Sequence, residues 1–184
     1  MSSETPAETF YRRGRAQLVS IYAVLEVLRR AAVAAWLFGG WGLDARIGRI
    51  TREHGDIEFW VERSDGERGT AALVEEGAVL LETQPPEESR EFTWNGVAFS
   101  TAYFDAHPDG TFRTQGRWSD WVFPADSFSD FPGVLGGHAI PAMSVAGMLA
   151  MKEQFPKLRN GRSWRPKDVH DIATLRELLA HPPE

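Results

Sequence analysis

The chain has 184 residues, 42% of them apolar, with 26 acidic side chains against 20 basic ones and no cysteine. That length suits one domain with a real hydrophobic core, and the lack of thiols excludes disulfides, zinc–thiolate and iron–sulfur centres and cysteine nucleophiles. A net charge of −6 argues against a nucleic-acid partner, because a general binder of phosphate backbones concentrates positive charge.

Residues 1–8 are too polar for a secretion signal, and the longest apolar run, residues 31–38, is too short for a membrane span. A cytoplasmic protein with no membrane partner is expected. Arg12, Arg13 and Arg15 read as a solvated helix start. Leu18, Ile21, Tyr22, Leu25 and Leu28 recur at helical spacing and predict an amphipathic helix over residues 15–31. Residues 34–38 read as a short buried strand ending at Gly39-Gly40, and residues 42–47 as a short helix closed by Gly48. A strand follows over 55–61, then a helix over 64–76 with Ala71, Leu73 and Val74 inward and Gly77 as its stop.

The middle of the chain is strand-rich. Residues 78–83 and 91–94 are strand candidates, and Asn95-Gly96 is a strong hairpin signal leading into a strand over 97–104. Asp109-Gly110 marks another turn, and residues 111–115 continue the meander. Residues 116–137 interleave Trp118, Trp121, Phe123, Phe128 and Phe131 with Asp, Ser and Pro, which fits an ordered loop or short strands packed by aromatics. Its apolar composition suits either a pocket wall or a homodimer surface. Ser144 is a good N-cap for a helix carrying Val145, Met148, Leu149 and Phe155. Pro166 opens another helix with Val169, Ile172, Leu175 and Leu179 inward.

Chemistry concentrates around Asp56-Ile57-Glu58. Two acids one place apart on a strand project from the same face, so they can share a divalent cation. The glycine pair upstream permits a tight turn where a phosphate meets no Cβ, and Trp41 begins a helix whose N-terminus attracts anions. Ile57 and Phe59 form the opposite, buried face, and Arg46, Arg49, Arg52 and His54 put cations or donors just before the acids. Such clustering is expected where a triphosphate meets its metal. Lys152 lies on or beside the apolar face of its helix; it is read either as a cation reaching a phosphate or as a packed stem whose ammonium snorkels to water.

Other chemistries match poorly. There is no G-x-x-x-x-G-K-[ST] loop, no G-x-S-x-G elbow and no H-E-x-x-H pair. Gly39-Gly40-Trp41-Gly42 lacks the rest of a dinucleotide fingerprint. His170-Asp171 are adjacent on a helix and do not face each other, so a surface histidine beside a paired or capping aspartate is the reading there.

The run of residues 39–58, from Gly39-Gly40-Trp41-Gly42-Leu43-Asp44-Ala45-Arg46 through Thr51-Arg52-Glu53-His54 to Asp56-Ile57-Glu58, resembles the aminoglycoside 2''-adenylyltransferase and lincosamide nucleotidyltransferase group of the polymerase-β-like nucleotidyltransferase superfamily. Weaker similarity extends through Gly116-Arg117-Trp118, Met151-Lys152 and Lys167-Asp168. The resemblance implies an α+β fold, a nucleotidyltransferase-like mixed β-sheet flanked by helices, in a single domain over residues 1–184. Its core would span about 15–106, and a strand and loop extension with C-terminal helices would occupy 107–184.

It further implies that Asp56 and Glu58 bind Mg²⁺ and that Gly39 and Gly40 cradle the phosphates of a nucleoside triphosphate. Lys152 would lie near the triphosphate, Arg52 and His54 close to the nucleotide, and Asp44 would brace the turn. Lys167 and Asp168 would help close the site or form a helix-start pair. The implied reaction moves a nucleoside monophosphate from a nucleoside triphosphate to a hydroxyl of a small acceptor, an aminoglycoside or lincosamide among the candidates, and releases pyrophosphate.

One departure stands out. A third carboxylate commonly completes such sites and should fall near Ser100 or Ala102, where the strand carries none. Asp105, at the strand end, is the nearest substitute, although it has the opposite parity unless a bulge intervenes; Glu91 on the preceding strand is a weaker candidate. A non-catalytic nucleotide or ligand binder of the same fold therefore stands beside the enzyme reading, and transfer RNA as acceptor stands behind both.

Overall fold

The computed structural model describes residues 6–158, 161 and 163–181. The first helix, α1 (Pro6–Arg30), begins well before the expected residue 15. Its buried stripe includes Gln17, Ile21, Val24 and Leu28, and Arg29 and Arg30 lie in the last turn, where cations suit the helix dipole. Strands β1 (Ala35–Phe38), β2 (Ile57–Glu62), β3 (Val79–Leu81), β4 (Ser89–Trp94) and β5 (Val97–Ala106) form a mixed sheet in the order β1-β2-β5-β4-β3. All neighbours pair antiparallel except the central β2 and β5, which run parallel. Between β1 and β2 lies α2 (Gly39–Ile47), and α3 (Gly66–Glu75) packs behind the sheet.

Strand alternation assigns the two cores. Odd positions of β2, Ile57, Phe59 and Val61, join a cluster with α1, α3, Phe92, Phe99 and Leu37. Even positions face the other side, where Trp60 packs with Phe38, Phe104, Met148 and Met151. Both faces of β2 are thus covered, and Glu58 emerges on the second one. The Asn95-Gly96 hairpin forms as expected, with φ of 50° and 78°, because these residues tolerate the left-handed region its tight turn requires.

The meander continues through β6 (Phe112–Arg113) and β7 (Val122–Phe123), which extend the sheet from the end of β5. Phe104 stacks on Phe128 with centroids 3.9 Å apart. Trp121, Phe123 and Phe128 are buried within the chain, while Phe131 is 75% exposed. A small hairpin, β8 (Gly133–Leu135) and β9 (His138–Ile140), backs α2, and residues 141–143 run beside β1 through hydrogen bonds from Leu37 N to Pro141 O and from Met143 N to Leu37 O, each 2.9 Å. That ladder covers what would otherwise be an open edge. The C-terminal helices are α4 (Val145–Leu158) and α5 (Pro166–Ala180).

Two helix faces differ from the periodicity reading. On α3 the inward set is Gly66, Gly69 and Leu73, while Ala71 and Val74 are exposed. The glycines let the helix approach Tyr103 and Leu28, where a Cβ would crowd them, and this close approach sets its rotation. On α5 the buried residues are Asp168, Asp171, Ile172 and Leu175, so Val169 and Leu179 turn outward. Two carboxylates take part of the inward face because cations await them there.

Candidate active site

Asp56 precedes β2 by one residue, and Glu58 lies inside that strand, opposite Phe38 of β1. Both acids line a cleft of about 270 Å³ together with Gly39, Gly40, Arg52, His54, Lys152 and Lys167. Burial first, and then the charge of Asp56, push the Glu58 carboxyl up from its ordinary 4.5 to about 7, against the pull of Lys152, Lys167 and Arg165. A carboxylate pair under mutual repulsion in a cleft is suited to a divalent cation. Mg²⁺ takes one or two carboxylates and fills its remaining positions with water and substrate phosphate. Among the described residues no group of three or more His, Asp or Glu side chains is placed to hold a metal ion.

The glycine pair opens α2 rather than preceding it, and Gly39 has φ of 66°. A Cβ on Gly39 would collide with Glu58 Oε2, and one on Gly40 with His54 Nδ1. The two glycines therefore make room for site side chains as well as for any ligand. No side chain caps the first turn of α2 and no acid lies in it, so its N–H groups are open to an anion. Gly40→Ala, ordinarily favourable inside a helix, is expected to destabilise by about 1–3 kcal/mol through overpacking, read as a lower urea midpoint; a midpoint at or above the parent's would contradict the collision.

A chain of polar contacts ties the walls together. Thr51 N and Oγ1 donate to Asp44 at 3.1 and 2.5 Å, and His54 Nε2 lies 2.6 Å from the same carboxylate. Arg52 Nη1 lies 2.9 Å from His54 Nδ1, while its Nη2 meets Asp171 at 3.0 Å. Lys152 Nζ sits 2.9 Å from Asp171 and 3.7 Å from Asp168. Burial pushes the Asp168 carboxyl up, but hydrogen bonding and charge from Arg165, together with the charge of Lys152, outweigh it and hold it low. Asp168 also accepts from the Arg165 backbone N–H at 3.2 Å and from its Nε at 2.6 Å at the start of α5. Asp44, α2, α4 and α5 are thereby locked around the cleft.

Only 4% of Lys152 is exposed, so its ammonium does not snorkel to bulk water; it stands inside the cleft wall beside Asp171. Lys167 is exposed at the rim. Arg46 is turned to the backbone, donating to Phe131, Ala142 and Met143 carbonyls, and Arg49 lines a different hollow. Asp105 is not brought to the acids. It has the opposite parity to Ser100, accepts from Arg63 Nε at 3.0 Å and Gln115 Nε2 at 2.8 Å, and lies five residues along β5. No bulge reverses its direction, since β5 pairs with β2 in unbroken register from Phe99 to Phe104.

Two cleft residues escaped the sequence reading. Arg165 and Asp171 line it, and for Asp171 the available signal was its i+3 spacing from Asp168 and i+4 spacing from Lys167. An aromatic wall of Trp118, Trp121 and Phe155 closes the other side, with the two indoles stacked at 4.9 Å.

Residues 20–175 match the sequence profile of the aminoglycoside-2''-adenylyltransferase family. The chain belongs to that family. A 43-residue stretch is 40% identical to 2''-aminoglycoside nucleotidyltransferases of Escherichia coli and Klebsiella pneumoniae, covering 23% of this chain and 24% of theirs. The alignment thus spans about a quarter of the length of those curated relatives. In three dimensions the chain is similar to the antibiotic-resistance factor ANT(2'')-Ia in solution, with a TM-score of 0.73 and 17% identity over 90% of this chain and 85% of that one. It is also similar to the lincomycin-bound lincosamide antibiotic adenylyltransferase LnuA, with a TM-score of 0.62 and 22% identity over 85% and 94%. At these identities the family's fold is what is shared, and the α+β mixed sheet expected from the sequence is the one observed.

Proposed function

We propose that this protein is a Mg²⁺-dependent nucleotidyltransferase, moving a nucleoside monophosphate from a nucleoside triphosphate to a hydroxyl of a small molecule. The observation that carries the reading is the composition of one cleft: Asp56 and Glu58 stand at the open first turn of α2, and Arg52, Lys152, Arg165 and Lys167 line the same space. Asp56 and Glu58 would hold Mg²⁺, which supplies neutralisation of phosphate charge when bound. The cations hold the triphosphate and take up charge as pyrophosphate leaves, so catalysis is chiefly placement and electrostatics.

A structure of ANT(2'')-Ia contains adenylyl-2''-tobramycin and that of LnuA contains lincomycin, and we extend both antibiotic classes to this chain as candidate acceptors. A second groove of about 190 Å³, walled by Trp118 and Trp121, joins the cleft at Glu58, and we assign the reacting hydroxyl of the acceptor to it. Among the described residues no helix is long and apolar enough to cross a membrane, and we assign the activity to the cytoplasm, where triphosphates and Mg²⁺ are available.

The test is release of pyrophosphate from each common nucleoside triphosphate with MgCl₂ and an acceptor panel including tobramycin and lincomycin. Release that needs Mg²⁺ and is lost in Asp56→Asn supports the enzyme. The second reading, a nucleotide or ligand binder, rests on the absence of a carboxylate at Ser100 or Ala102; nucleotide binding with no release across the panel would establish it instead.

A further inference from the structure

Glu58 on β2, Ser100 on β5 and Glu91 on β4 lie directly opposite one another across the sheet. In-register residues of neighbouring strands share a face, and all three side chains line the acceptor groove. Two strand spacings, about 9.5 Å, separate the Cα atoms of the two glutamates. Between them the small Ser100 leaves the floor open, so a hydroxyl delivered over it has a carboxylate on either side.

The glutamates of this groove are not equivalent. Glu88 is neutralised: Arg117 Nε lies 2.8 Å from its Oε2, and the Arg117 backbone N–H donates to its Oε1 at 2.8 Å. Glu91 instead accepts from two neutral donors, Thr83 Oγ1 and, at 3.2 Å, Gln84 Nε2. Among the described residues no lysine or arginine pairs with it. Those donors orient the carboxylate yet leave lone pairs on both oxygens.

Building on the nucleotidyl-transfer reading, we propose that Glu91 is the general base of this site, taking the proton from the acceptor hydroxyl. As that oxygen bonds to the α-phosphorus, its proton passes to the Glu91 carboxylate. The bond from the α-phosphorus to the oxygen bridging the β-phosphate breaks, and pyrophosphate carries away the electron pair. The products are the acceptor's nucleoside monophosphate ester and protonated Glu91, which returns its proton to water. A base on β4 reaches the row from one strand further out than Ser100, the place where the strand itself carries no acid.

With Mg²⁺–ATP and tobramycin or lincomycin, Glu91→Gln is expected to lower kcat on the order of 100-fold, with the affinity for Mg²⁺–ATP unchanged. Adding Ser100→Asp to Glu91→Gln moves a carboxylate one strand along the same row and is expected to recover kcat on the order of tenfold. A glutamine variant that turns over at the parent rate overturns Glu91 as base and leaves nucleotidyl transfer standing. If that variant loses Mg²⁺–ATP binding, Glu91→Asp decides: nucleotide affinity and most of kcat recovered with the carboxylate support the base, and affinity recovered with kcat still at the glutamine level overturns it. A parent protein that releases no pyrophosphate with any acceptor overturns the transfer reading, and the role of Glu91 with it.

Discussion

Asp171→Ala is expected to lower the unfolding free energy by about 3–5 kcal/mol, the usual cost of removing one partner from a buried ion pair. Asp171 is fully buried and faces both Arg52 at 3.0 Å and Lys152 at 2.9 Å. Without it the Lys152 ammonium stays buried, with Asp168 at 3.7 Å as its remaining partner, and Asp168 is already engaged by Arg165 at 2.6 Å. Lys152→Met should cost less, because it removes a buried charge and leaves Asp171 paired with Arg52. Combining the two substitutions should restore part of the stability lost in Asp171→Ala alone. Urea unfolding of the three variants tests the network; an Asp171→Ala cost below that of Lys152→Met would mean that Asp171 does not hold these cations.

Glu58→Gln is expected to separate stability from activity. In metal-free protein the Glu58 carboxyl is raised from 4.5 to about 7, so the folded chain keeps a proton that the unfolded chain releases earlier. Its contribution is therefore fully present below 4.5 and is lost as pH rises through about 7. Above that range an ionised Glu58 stands beside Asp56. The amide cannot ionise, so with EDTA present Glu58→Gln should unfold at higher urea than the parent at pH 8 and lose this part of the pH dependence. Turnover should nevertheless fall on the order of 10³-fold, about 4 kcal/mol of transition-state stabilisation. A variant less stable than the parent at pH 8 in EDTA would contradict the strain ascribed to this carboxylate.

Much of the site's local character was legible because it depends on short-range rules. Strand parity puts Glu58 and Trp60 on one face of β2, and the left-handed tolerance of Asn95 and Gly96 marks their hairpin. The starts of α4 and α5 follow from Ser144, whose hydroxyl accepts from Gly147 N at 2.9 Å, and from Pro166 at the first helical position. Long-range pairing was not legible. Asp105 was preferred to Glu91 as the substitute for a missing acid, since nothing in the chain states which strands will be neighbours or in what register. Apolar periodicity also misplaced Val169 and Leu179, because it gives no weight to carboxylates that turn inward to meet a lysine from another helix.

By itself the sequence determined the family, the element types over most of the chain, and the glycine pair and carboxylates that mark the cleft, all carried by residues within about twenty positions of one another. Tertiary structure alone decided that the glycines give clearance to Glu58 and His54, that Asp171 joins Arg52 to Lys152, and that Glu91 rather than Asp105 shares a row with Glu58. Those facts arise from strand register and helix rotation, which are settled by packing among distant segments and leave no local trace in the order of residues.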